Sequence, residues 1–237
     1  MYTIEVGNIT IDVIRKKIKN LHLGVHPPEG RVRIASPVWV KDEAIHMFAI
    51  SKLPWIKRQR RKFLGQERET EREFLFRESH YLWGKRYLLN IIEHDGHSKI
   101  ILNKDSIDLY VRKDTPTEKR RIIMNEWYRK EIKKVIPDLL EKWEKIIGVS
   151  ASDWRIKLMK TRWGTCNIGA KRIWLNLELA KKPLICLEYI IVHELVHLLE
   201  RRHNENFLRL MEKFMPQWRQ YKEELNRLPV SYSQWDY

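Results

Sequence analysis

The run Ile190–His203, IIVHELVHLLERRH, constrains this chain more than any other stretch. Ile190, Ile191, Val192, Leu195, Val196, Leu198 and Leu199 surround its polar residues on nearly every side, so a helix built from it is buried all round. Three histidines and two glutamates in such a setting need partners, because an unpaired buried polar group costs about 1–3 kcal/mol. Residues four apart share a helix face, so His193 and His197 aim at one point while Glu194 is rotated by about 100°. This is the HExxH arrangement, in which two imidazoles grip zinc and the glutamate handles the proton of a water beside it. A core helix with a chance match is the competing reading, and the apolar surroundings favour the metal.

A catalytic site needs a third protein ligand and one open position. His203 is the candidate. It follows His197 by six residues, about 240° round an unbroken helix, so the helix has to end before it. The spacing of His193, His197 and His203 equals that of the metzincin signature, which has glycine where this chain has Glu200. The reversal then falls to Arg202, His203 or Asn204, and Asn204 can cap a following helix, ENFLRLMEKFM. Glu200 and Cys186 are too far along the helix axis to converge easily, whereas Glu205, Glu212, Glu223 and Glu224 are rival ligands from later segments. A closed structural zinc would need a fourth ligand and would have no use for Glu194.

The rest of the chain supplies the frame. At 237 residues and 43% hydrophobic it can bury one large core or two small ones. From Tyr2 to Pro37, β-branched runs alternate with turn signals at Gly7-Asn8 and Pro27–Gly30, and Pro54 separates two short helices after them. The Glu/Arg-rich segment Glu67–Glu78 reads equally as linker, edge strand or solvated helix. Residues 80–112 read as a small antiparallel sheet. A capping box at Thr115-Pro116-Thr117-Glu118 opens a long amphipathic helix ending at Gly148, with Pro137 as a kink or break. Two or three strands with a turn near Asn167–Lys171 precede the histidine helix, whose start falls at Pro183. The expectation is an α+β chain: a basic β-rich region with short helices (1–112), a zincin-like metallohydrolase domain with a small antiparallel or mixed sheet, the HExxH helix and a backing helix (113–228), and a tail (229–237).

Cys166 and Cys186 give no disulfide framework and read as small buried residues of a protein from a reducing compartment. The first twenty residues lack a signal-peptide core and no stretch approaches a membrane span, so a cytoplasmic protein with no membrane partner is expected.

Several motifs together, TRWGTC (Thr161–Cys166), IWLNLEL (Ile173–Leu179), EYIIVHELVHLLERRH and NENFLRLMEKFMPQW, resemble the YgjP-like metallopeptidases, relatives of the SprT-type proteases. The resemblance is strongest from about Arg121 to Asn226. It implies a zincin-type hydrolase with one zinc ion on two helix histidines and a third histidine, here His203. Thr161 and Thr165 stand where serine is common in the family. The resemblance points first to a polypeptide substrate and peptide-bond hydrolysis. It also brings two other activities into view, since one member is catalogued as a UTP pyrophosphatase and SprT-type relatives act on proteins crosslinked to DNA.

In a zincin an extended substrate lies along an edge strand beside the metal, and Arg172–Leu179 is the candidate strand. Gly164 permits close backbone approach; Trp163 and Trp174 line a pocket or, as the favoured reading, pack on the helix; Asn176 orients substrate or caps a turn. In the front half, Lys57, Arg58, Arg60, Arg61 and Lys62 lie between Trp55 and Phe63, and cations exceed anions by 15 over the chain. That run is a candidate DNA- or RNA-binding surface, though a solvated helix with its aromatics in the core is the favoured reading. The reading overall is a zinc-dependent metallopeptidase. The alternatives are a metal-dependent UTP pyrophosphatase and a nucleic-acid-binding protein with a structural zinc.

Overall fold

Strand alternation builds the first part of the chain. β1 (Tyr2–Val6), β2 (Ile9–Lys16), β3 (His22–His26) and β4 (Arg31–Pro37) form a sheet of order β1-β2-β4-β3, with β2 and β4 parallel and the other pairs antiparallel. Ile9, Ile11 and Val13 on β2 and Val32 and Ile34 on β4 join one buried cluster with Ile45 and Ala49 of α1 (Asp42–Ser51) and Ile56 of α2 (Leu53–Leu64). The two helices part at Lys52, just before Pro54. The computed structural model describes residues 1–26, 30–64, 72–159 and 162–227. Residues 27–29 of the expected turn, 67–71 of the Glu/Arg-rich segment and the tail 229–237 therefore fall outside the described residues. The chain divides into two compact units, Met1–Glu67 and Arg68–Tyr237.

In the second unit, β5 (Ser79–Leu82), β6 (Lys85–Glu93), β7 (Lys99–Leu102) and β8 (Ser106–Val111) pair in the order β5-β6-β8-β7. The sheet is mixed rather than antiparallel, because β6 and β8 run parallel. The reason lies in burial. Ile107, Leu109 and Val111 of β8 are fully enclosed and take the interior position, while β7, with Ile101 and Leu102 exposed, is left at the edge.

α3 (Thr117–Ile147) buries Met124, Trp127, Tyr128, Ile132, Ile136, Leu140, Trp143 and Ile147 at helical spacing and ends on Gly148 in the left-handed conformation. Pro116 is its N-cap, and the Thr115 hydroxyl donates to the Arg112 carbonyl at 2.6 Å instead of capping the helix. Pro137 neither breaks the helix nor ends it. It is exposed, as is Lys133, whose carbonyl loses its intrahelical partner and meets solvent.

The third sheet, β10-β11-β9, consists of β9 (Asp153–Lys157), β10 (Gly164–Asn167) and β11 (Arg172–Asn176). A turn in which Asn167 Oδ1 accepts the Ala170 N–H at 3.1 Å joins β10 to β11. A 3-10 segment (Leu177–Lys181) leads to α4 (Leu184–Val196), followed by α5 (Glu205–Phe214) and α6 (Trp218–Arg227). One core cluster joins Leu82, Leu89, Ile107 and Leu109 of the second sheet to α3, the 3-10 segment, α4, α5 and α6. The chain is thus α+β with small mixed sheets, and within the second unit α3 and the histidine helix α4 share one core.

Two contacts fix α4. Trp143 Nε1 and Lys142 Nζ of α3 both donate to Glu188 Oε1, at 2.8 and 2.6 Å. At its start, the Trp83-Gly84 turn docks: Trp83 N–H donates to the Ala180 carbonyl at 2.9 Å, and a Cβ on Gly84 (φ +79°) would lie 2.9 Å from Pro183.

Candidate metal centre

α4 is enclosed on nearly all sides, so its polar residues meet only what the fold brings to them. The helix ends at Val196, and its last carbonyls are taken up by tightened bonds, Leu198 N–H to Leu195 and Leu199 N–H to Val196 at 3.0 Å. None of residues 197–204 has a positive φ. That removes the need for glycine at position 200. Glu200 builds the corner instead: its carbonyl accepts from His197 Nδ1 at 3.0 Å, and its carboxylate accepts from Arg202 N–H and Asn206 Nδ2 at 3.0 and 3.3 Å. Those bonds hold the Glu200 carboxyl below the usual range. Asn204 caps α5 as expected, accepting the Phe207 N–H at 3.0 Å.

The corner brings His203 back to the helix. His193, His197 and His203 each offer a ligand atom within 4.8 Å of the others, and His193 Nε2 stands 3.0 Å from His203 Nε2. Phe207 forms the floor, only 2% exposed, with its ring centroid 4.7–4.9 Å from all three imidazoles. The donor set fits a zinc ion, whose nitrogen ligands lie about 2.0–2.1 Å from the metal and hence about 3.3 Å apart. A carbonyl only accepts, so His197 carries its proton on Nδ1 and turns a lone pair on Nε2 toward its neighbours in the neutral ring. Burial, with His197, His203 and Lys222 adding to it, pushes His193 down to about 3, so this ring is a neutral donor. Burial likewise lowers His203. His193 Nδ1 finds no hydrogen-bond partner among the described residues. None of Glu205, Glu212, Glu223, Glu224 and Cys186 belongs to the cluster, and Glu212 accepts from Trp218 Nε1 at 3.0 Å.

Glu194 lies beside the triad, 4% exposed. Burial pushes its carboxyl up to about 8, against the opposing pull of Arg162. Gly164 of β10 abuts it: a Cβ there would stand 2.6 Å from Glu194 Oε1 and 2.8 Å from Ile190 Cγ2. The close approach that a glycine permits is thus between β10 and the glutamate.

These groups open into a cleft of about 1350 Å³ whose lining includes β10, Trp163, Trp174, Tyr189 and all three histidines. β11 lies between β10 and β9 and is paired on both edges, so it cannot take up an extra strand. The edge strand beside the histidines is β10. Trp163 and Trp174 line the cleft and also pack on the core or, for Trp174, under Arg155 at 5.6 Å. Asn176 stands apart from the cleft lining. Its Nδ2 donates to the Met159 and Arg162 carbonyls at 2.9 and 2.8 Å, and its Oδ1 accepts from Met159 and Glu178 N–H at 3.2 Å. With every donor and acceptor engaged it caps the 3-10 segment and clamps the loop before β10, leaving nothing to orient a substrate. Cys186 is buried, but Cys166 is half-buried and lines the cleft, where burial and then Glu194 push its thiol up to about 11.

A family model, the YgjP-like metallopeptidase domain, matches residues 19–228. The chain belongs to the YgjP-like metallopeptidase family. No curated protein matches it. Among solved structures, the metallopeptidase zymogen abylysin of Pyrococcus abyssi is similar at 26% identity over 40% of this chain and 100% of that one, with a TM-score of 0.36. The zymogen jannalysin of Methanocaldococcus jannaschii is similar at 21% identity over 38% and 92%, with a TM-score of 0.34. As a YgjP-like metallopeptidase the chain is a hydrolase, and no helix among its described residues is long and apolar enough to cross a membrane.

Lys57, Arg58, Arg60 and Arg61 lie on α2 of the first unit, and none of them lines the cleft. Lys57, Arg58 and Arg61 are exposed and Arg60 half-buried; the Lys62 and Phe63 side chains lie outside what is described. Trp55 packs against the first core rather than standing free to stack on a base. Sequence reasoning missed Phe207, Arg162, Tyr189, Arg201 and Lys222 in this YgjP-like site. For Phe207 a signal was present, since it is the residue whose N–H the Asn204 cap holds. For the others the signal is tertiary.

Proposed function

We propose that this protein is a zinc-dependent peptidase in which His193, His197 and His203 hold the ion and Glu194 is the general base. The observation that supports it most is the convergence of three imidazoles around one point of a cleft, with a buried carboxyl alongside and an edge strand next to it. Three donors, with no fourth in the cluster among the described residues, suit a site that leaves a position open. A bound zinc ion supplies Lewis acidity, bringing the pKa of water at the site to about 7.

The chain's own residues do the rest. An extended polypeptide adds to the free edge of β10, where backbone groups of Gly164–Asn167 fix its register. Glu194 accepts the proton of the attacking water on its carboxylate and then delivers it to the leaving amine nitrogen. Gly164 and Ile190 wall that carboxyl, holding it in one place and shielding it from bulk water. Phe207 and the Glu200 carbonyl keep the imidazoles oriented.

The test compares wild type with Glu194→Gln, both zinc-loaded, on a labelled unfolded polypeptide, with fragments identified by mass spectrometry. Wild type is expected to cleave, and the variant to lose about 10²–10⁴-fold in rate. Equal cleavage by both proteins would remove Glu194 from the chemistry.

A further inference from the structure

The cleft walls carry Arg162, Arg201 and Lys222, and Glu194 is the only carboxylate among the lining residues. Glu194 is buried, whereas all three cations are exposed to the cleft and solvent. Some arginines of this unit are matched, since Arg155 and Arg172 share Asp153 at 2.9 and 2.7 Å and Arg121 meets Glu118. No described carboxylate pairs with Arg162, Arg201 or Lys222. They come from three separate elements, the loop before β10, the corner after α4, and α6. Arg162 precedes β10, whose Gly164 abuts Glu194, while Lys222 stands on α6, and both line the same cleft as the histidines.

We infer that the cleft selects polypeptide segments bearing aspartate or glutamate near the bond that is cut. This rests on the peptidase reading and names its substrate class. A guanidinium takes a carboxylate through paired hydrogen bonds, and an ammonium takes it as a point charge. Unmatched cations on the walls favour an acidic chain over a neutral one of the same shape, and a basic chain least of all. The spread of the three over separate elements suits carboxylates distributed along an extended strand better than one compact polyphosphate. Arg162 has a second tie to the site, because the Asn176 clamp on its carbonyl sets where its side chain begins.

Two short peptides, identical except that glutamate flanks the central bond in one and glutamine in the other, test this. Each is assayed for kcat/KM with zinc-loaded wild type and for binding to Glu194→Gln by fluorescence anisotropy. The glutamate peptide is expected to be favoured about tenfold or more in both assays. Lys222→Met and Arg201→Met are expected to bring that ratio toward one, and Lys222→Arg to keep it. The ratio is internal to each variant, so a partly folded preparation does not mimic the effect. Equal handling of the two peptides in both assays overturns the inference, as does displacement of both peptides alike by UTP. Preferential binding of the glutamate peptide with no cleavage of either one sinks the peptidase reading and leaves the charge selection standing.

Discussion

The two four-stranded sheets have the same strand order and the same pairings, yet they serve the molecule differently. β1-β2-β4-β3 and β5-β6-β8-β7 each begin with an antiparallel hairpin, add a parallel strand and close with an antiparallel edge. The first buries Ile11, Val13, Val32 and Ile34 with Ile45, Ala49 and Ile56 of its own two short helices, in a cluster whose members among the described residues all come from the first unit. The second has no helices of its own: Leu89, Ile107 and Leu109 share a core with α3, α4 and the segments that carry the histidines. One strand motif packs on two short helices of its own unit, and the other is part of the site's scaffold. What decides this is the partner of the apolar face, not the topology.

The largest expected effect that tests this contrast comes from truncating matched core residues. Leu89→Ala and Ile11→Ala should each cost about 2–5 kcal/mol of stability, read by denaturant unfolding. Only Leu89→Ala should also weaken zinc binding; an equal loss of zinc affinity in Ile11→Ala would break the comparison. The hairpin glycines give a finer contrast. Gly7 (φ +62°) has open space at its Cβ, whereas Gly84 (φ +79°) faces Pro183. Gly7→Ala should therefore lose only the left-handed strain of about 1–2 kcal/mol. Gly84→Ala should lose that and undock the turn from the start of α4, lowering peptidase activity as well. Melting temperatures and rates measured on the same preparations separate the two.

The smallest effect is in pH. His80 of β5 is 2% exposed, and burial lowers it, with Arg72 and Lys181 adding to that and Glu78, 3.3 Å away, opposing. His26 of β3 is only half-buried, and is lowered by burial, Arg33 and Arg31. In each case the folded value lies below the unfolded value of about 6.5, so the unfolded state takes up the proton first as pH falls. Stability is full above about pH 6.5 and declines below it. Replacing His80 with phenylalanine should flatten that decline more than replacing His26, as followed by thermal melts between neutral pH and pH 5. A steeper acid loss in the His80 variant would contradict the sign.

Local pattern made much of this legible. Alternation marked the strands, the apolar stripe marked α3, and the four-residue spacing put His193 and His197 on one face, with His203 a candidate to join them only if the helix stopped early. What escaped depends on long-range pairing. The parallel placement of β8 beside β6 follows from which strand is most apolar in competition with β7, and β11 is interior because β9 arrives from before it in the chain. The Asn176 clamp joins residues up to 17 apart, and Phe207 beneath the imidazoles acts through tertiary contact. Glu200 misled for a related reason, since its carbonyl and carboxylate build a corner that the metzincin pattern builds with glycine.

Calorimetric titration of zinc into metal-free protein bears most directly on the histidine centre. Wild type should bind a single ion per chain, and His193→Ala, His197→Ala and His203→Ala should each weaken it by more than about 100-fold, beyond the loss of an outer partner. Wild-type affinity in His203→Ala, or no saturable binding by the intact chain, would contradict the account.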